Sequence, residues 1–191
     1  MTVNAELSGR DMAFQSTLTE PVLVLMGVSG SGKSSVAGLL AGKLGWDLAE
    51  GDDMHPAANI AKMAAGHPLD DADRWPWLAR VAEWIRARTA NGRPGIVTCS
   101  GLKRSYRDEL RGPSVVFVHL AGSRELIARR LAARQGHFMP ATLLDSQFAA
   151  LEPLGPDEQA ITVDITDSAA SEAGYIIRTL NLPAAGVQVT P

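Results

Sequence analysis

The residues Gly27-Val28-Ser29-Gly30-Ser31-Gly32-Lys33-Ser34 satisfy G-x-x-x-x-G-K-[S/T] at every fixed position. That pattern builds a loop that closes around a phosphate: glycines let the backbone N–H groups point inward, and a following helix N-terminus adds partial positive charge at the same place. The cradle runs from Gly27 to Ser35, with Lys33 placed to reach the β and γ phosphates of ATP and the Ser34 hydroxyl to bind Mg²⁺. The flanks agree. The apolar run Val22 to Met26 reads as a buried strand leading in, and Ser35 to Leu44 leads out with helical spacing at Val36, Leu39, Leu40 and Leu44 before Gly45 stops it.

What receives the phosphate is the next question. The D-x-x-G and N-K-x-D patterns of GTPases do not occur, and no strand candidate ends in the apolar run plus Asp by which ATPases hold Mg²⁺. A switch or motor is therefore disfavoured against a kinase of a small molecule. Such an enzyme needs a carboxylate at the acceptor hydroxyl, cations for substrate and transition state, and a cover that excludes water.

Each requirement has candidates. Glu50-Gly51-Asp52-Asp53-Met54-His55-Pro56 sets carboxylates and an imidazole at the end of a second strand, although acidic loops are common. Cys99-Ser100-Gly101-Leu102-Lys103-Arg104 brings two cations to the end of a third, with a solvated Lys-Arg pair as the plain alternative. Arg130 and Arg134, four apart on one helical face, precede Gln135-Gly136-His137-Phe138 as a lid, whereas Arg124 and Arg129 fall on other turns and read as solvated. Arg74 lies near the start of a helical pattern over Asp73 to Arg88, with Pro76 in its first turn and an apolar stripe of Trp77, Leu78, Val81, Trp84 and Ile85. The tryptophans of that stripe read as core, and His67 and His119 lack metal-ligand spacing.

These groups have to be positioned by the elements between them. Strand candidates at 22–26, 46–50, 95–99, 114–120 and 160–165 alternate with helical patterns, which is the βαβ arrangement of an α/β fold with a parallel five-stranded sheet between helical layers. The organised part is one domain over 21–182, its lid about 124–150, with polar or small-residue tails at 1–20 and 183–191. The chain of 191 residues is 46% hydrophobic, enough for a full core, and its formal net charge of −3 with no basic run argues against nucleic acid as a partner. One cysteine, Cys99, excludes an internal disulfide, and no segment has the length of a membrane span or the pattern of a signal peptide, so a cytoplasmic protein is expected.

Taken together, several blocks resemble gluconate kinases (gluconokinases): G-V-S-G-S-G-K-S, E-G-D-D-M-H-P, Lys62-Met63, P-L-D-D-A-D-R-W-P-W-L at 68–78, C-S-G-L-K-R-S-Y-R-D from Cys99, and H-F at His137-Phe138 with S-Q-F at Ser146 to Phe148. The resemblance spans about Val22 to Ile177. It implies ATP-dependent phosphorylation of the 6-hydroxyl of D-gluconate, strand order 2-3-1-4-5 as in nucleoside monophosphate and shikimate kinases, and a homodimer. By it, Asp52 orients or deprotonates the acceptor hydroxyl, His55, Arg74 and Lys103 face gluconate with Arg74 on its carboxylate, and Arg130 and Arg134 clamp the transferring phosphate. Two departures stand out: Glu50 replaces a usual Asp, leaving its part in the Mg²⁺ shell open, and Gly101 replaces the Ala of C-S-A-L-K. The rival readings are a kinase of another small hydroxy-acid such as shikimate and a non-catalytic ATP-binding module.

Overall fold

Five consecutive apolar residues form β1 (Val22–Met26), and all five are buried, as befits a central parallel strand covered on both faces. The computed structural model describes residues 20–133 and 141–183. Around β1 stand β2 (Asp47–Glu50), β3 (Gly95–Thr98), β4 (Val115–Ala121) and β5 (Ala160–Asp164) in the order β2-β3-β1-β4-β5, every pairing parallel. This is the expected sheet and order. All five strands therefore end at one edge, where ligands of open α/β sheets bind.

The helices are α1 (Lys33–Leu44), α2 (Ala57–Ala64), α3 (Asp71–Ala90), α4 (Arg104–Leu110), α5 (Arg124–Ala133), α6 (Ala141–Ala150) and α7 (Ala169–Thr179). Side chains alternate across β1, so Leu23 and Leu25 join one core layer with α1 and α7 while Val22, Val24 and Met26 join another with α3 and α4. No helix among the described residues is long and apolar enough to cross a membrane.

Three local expectations need correction. Leu39 is exposed; the inward stripe of α1 is Val36, Ala37, Leu40 and Leu44, because positions four apart stay aligned on a short helix. Helix α3 starts earlier than the apolar stripe suggests, since Asp70 and Asp73 form a reciprocal capping box (Asp73 N–H to Asp70 Oδ1 and Asp70 N–H to Asp73 Oδ2, both 2.9 Å), so Pro76 lies inside the helix beyond its first turn. Strand β5 stops at Asp164 and thus does end on a carboxylate; that group accepts the Thr166 N–H at 2.7 Å and shapes the turn after the strand. Arg134, the 135–138 lid residues, residues 1–19 and residues 184–191 lie outside the described residues.

Candidate active site

The phosphate loop leaves β1 with positive φ at Gly27 (137°), Gly30 (82°) and Gly32 (98°), a region that side chains with a Cβ avoid. Its start is tied to the end of β3, where the Gly27 N–H donates to the Ser100 carbonyl at 3.1 Å. Lys33 Nζ curls back and donates to the carbonyls of Gly27 and Val28, each at 3.0 Å. Burial pulls its ammonium below the ordinary lysine range, opposed by the negative charges of Asp52 and Glu50. Ser34, at the first turn of α1, donates to Glu50 Oε2 at 3.0 Å.

Opposite stands a 3₁₀ turn, Gly51–Met54, that carries the acidic block. Gly51 is pressed against β3 so tightly that a Cβ would sit 2.0 Å from the Thr98 carbonyl oxygen. Its N–H donates to Thr98 Oγ1 at 3.1 Å and its carbonyl accepts the Trp77 indole Nε1–H at 2.6 Å. Thr98 in turn donates to Glu50 Oε2 at 2.6 Å, so Glu50 is held between β3 and the phosphate loop. His55 is buried against Trp77, ring centroids 4.3 Å apart. Asn59 Nδ2 contacts His55 Nδ1 at 3.3 Å and also donates to the Asp73 carbonyl at 2.8 Å, which fixes the amide as donor and the ring as neutral with its proton on Nε2. Burial lowers the His55 pKa in the same sense. Asp52 is exposed, its carboxylate accepts no hydrogen bond among the described residues, and its charge acts on both Lys33 and His55.

The third wall joins α3 to the β3–α4 loop. Asp71 receives Lys103 Nζ at 2.7 and 2.9 Å and the Tyr106 hydroxyl at 2.5 Å. The cations of Arg74 and Lys103 lie 5.7 and 5.4 Å from the Tyr106 ring centre, and Arg74 Nε donates to the Leu69 carbonyl at 3.3 Å. The loop itself is braced from behind by Arg107, wholly buried, which pairs with buried Glu158 (Nε to Oε1, 2.6 Å) and donates to the carbonyls of Gly101 and Leu102. Cys99, also buried, has its thiol pushed up to about 12 by desolvation and is a packing group.

On the far side of the phosphate loop Arg130 reaches across from α5. Its Nη2 donates to the Ile165 carbonyl at 2.5 Å, its Nη1 lies 3.5 Å from the Ser31 carbonyl, and Glu172 Oε1 stands 3.8 Å away. Arg129 is exposed as expected, whereas Arg124 is not simply solvated but pairs with Asp145 of α6 at the surface.

Comparison with known proteins adds to this geometry. Residues 22–154 match the family of the AAA domain. A gluconokinase of Gluconobacter oxydans is 52% identical over 151 residues, covering 78% of this chain and 85% of the relative. The chain belongs to the gluconokinase family. Among solved structures, an unliganded sugar kinase from a Janibacter species superposes with a TM-score of 0.80 at 48% identity, covering 85% of this chain and 95% of that one. A gluconokinase from Sinorhizobium meliloti gives 0.79 at 43% identity, covering 86% and 94%.

In this gluconokinase-family chain, the edge of the sheet thus brings together Lys33, Ser34, Glu50, Asp52, His55, Arg74, Lys103 and Arg130, residues far apart in sequence. Sequence reasoning missed the residues that hold them: Asp71 and Tyr106 on Lys103, Trp77 and Asn59 on His55, Thr98 on Glu50, Gln147 on the Ser29 amide. The acidic 70–73 run was the available signal for Asp71. Trp77, Tyr106 and Gln147 fall inside blocks that carry the family resemblance, but what each of them holds is remote in sequence and no spacing shows it.

Proposed function

We propose that this chain transfers the γ-phosphoryl group of ATP to the 6-hydroxyl of D-gluconate, releasing ADP and 6-phospho-D-gluconate. The observation that carries the reading is Asp52: an accessible carboxylate in the turn after β2, without a hydrogen-bond donor among the described residues, whose charge acts on both Lys33 of the phosphate loop and His55. Membership in the gluconokinase family supports the choice of acceptor.

In this mechanism the loop from Gly27 to Ser35 wraps the β and γ phosphates and binds them through amides other than those of Gly27 and Ser29, which are held by Ser100 and Gln147. Asp52 accepts the proton of the 6-hydroxyl as that oxygen bonds to the γ phosphorus and the bond to the β–γ bridging oxygen breaks, leaving ADP. Lys33 and Arg130 offset charge on the transferring group, with Arg134 assigned the same role from outside the described residues. Arg74 binds the gluconate carboxylate as a two-pronged donor, while His55 and Lys103 orient the hydroxyl chain. The donor set fits Mg²⁺: Ser34 offers a hydroxyl oxygen and Glu50 a carboxylate beside it, both hard oxygen ligands. When bound, Mg²⁺ would neutralise charge developing on the phosphates. The lid over 124–150, a homodimer and a cytoplasmic location complete the proposal, resting on the family likeness and on the composition.

ADP formation measured by a coupled assay against a panel of sugar acids and shikimate tests it. Gluconate-dependent turnover is expected; turnover with shikimate instead, or ADP release indifferent to every acid, overturns it.

A further inference from the structure

The N–H of Ser29, inside the phosphate loop, does not stay within the loop: it donates to Gln147 Oε1 at 2.7 Å, across 118 positions of sequence. Its neighbours Gly27 and Val28 supply the two carbonyls that hold Lys33 Nζ. Gln147 sits on α6, whose Leu144 is buried in the core and whose Asp145 pairs with Arg124 of α5 at 2.7 Å. Further along the same segment, Glu152 engages the other substrate loop, donating its N–H to the Leu102 carbonyl at 2.8 Å and accepting the Arg104 N–H on Oε2 at 2.6 Å. One short segment therefore touches both the loop assigned to ATP and the loop carrying Lys103.

We propose that Gln147 is a positioning residue for the phosphate loop, fixing the Ser29 amide and the adjacent Lys33-holding carbonyls, while Glu152 does the same for the β3–α4 loop, so that the 147–152 segment sets donor and acceptor loops in register. The side-chain amide of Gln147 suits this role because its oxygen accepts the backbone N–H without adding negative charge beside the phosphates. A single neutral hydrogen bond of this kind is worth about 1 kcal/mol, about a factor of five in an equilibrium constant.

The inference rests on the proposed use of the loop for ATP, so its test reads nucleotide binding directly. Calorimetric titration of a non-hydrolysable ATP analogue, with Mg²⁺, into Gln147→Met should give about fivefold weaker binding. A displaced Ser29 amide resonance, a gluconate KM close to wild type and a melting temperature lowered by no more than about 2–4 °C should accompany it. Gln147→Glu keeps an acceptor but places a charge near the phosphates; it should fold normally and also bind the analogue more weakly. Glu152→Met, which removes the acceptor of the Arg104 N–H and leaves the backbone bond to Leu102, should show the converse, a raised KM for gluconate with analogue binding retained. Normal analogue binding by both Gln147 variants would overturn the proposal, as would parallel loss of nucleotide and gluconate affinity tracking a lowered melting temperature. If wild type binds no ATP analogue at all, the proposed function fails rather than the role of Gln147.

Discussion

Trp77 and Gly51 meet through one hydrogen bond of 2.6 Å, indole N–H to backbone carbonyl, between the buried stripe of α3 and the turn that presents Asp52. Because Gly51 also bonds Thr98, and Thr98 bonds Glu50, a buried tryptophan sets the height of the whole acidic block above the sheet. Replacing Trp77 by Phe keeps most of the apolar volume and the stack on His55 but leaves the Gly51 carbonyl without its donor. Stability should fall by about 1–3 kcal/mol, the scale of a buried unsatisfied polar group, and kcat should drop more than the KM for ATP rises. Denaturant unfolding together with steady-state kinetics checks both.

Asp52→Asn should bind ATP normally and lose about 10² to 10⁴ in kcat, the range for a positioned acid or base. Near-normal turnover would remove Asp52 from proton transfer.

Arg74→Lys keeps the charge near Tyr106 but loses the planar fork. The KM for gluconate should rise while that for ATP holds, because the lost geometry concerns only the carboxylate. Initial rates with each substrate varied in turn decide this, and an unchanged gluconate KM would place the carboxylate elsewhere.

Glu172 is 3% exposed, and its carboxylate oxygens accept no hydrogen bond among the described residues, with the Arg130 guanidinium 3.8 Å away. Burial raises its pKa above the ordinary carboxylate range. A raised value means the folded protein binds this proton more tightly than the unfolded chain, so the group's contribution is full below the unfolded pKa and is lost as pH rises through the folded one. Glu172→Gln should therefore stabilise the protein by about 1 kcal/mol near neutral pH, on the scale of one satisfied polar group, and the advantage should shrink as the pH falls toward the ordinary carboxylate range. Melting curves across that range measure it.

The fold was readable because each strand is a short run followed by chemistry-bearing residues, and parallel order then forces those residues to one edge. The phosphate loop was fully legible, being local in sequence. Supports between remote elements were not: the pairing of Lys103 with Asp71, or of Ser29 with Gln147, depends on crossovers that no spacing encodes. Gly101 illustrates the same limit. Its φ of +54° supplies a physical reason for a glycine that sequence comparison registers only as a departure from Ala, since an added Cβ would be strained there even though its nearest contact, Met26 Cβ at 3.4 Å, is tolerable.

Phosphate transfer from ATP to a gluconate hydroxyl at this sheet edge can be observed in the product itself. The direct measurement is the product: incubate the protein with Mg-ATP and ¹³C-labelled D-gluconate and record phosphorus coupling to carbon by NMR. A phosphomonoester coupled to C6 is expected, formed about 10² to 10⁴ times more slowly by Asp52→Asn. Phosphate on another carbon, or ADP formed without any gluconate phosphoester, would contradict it.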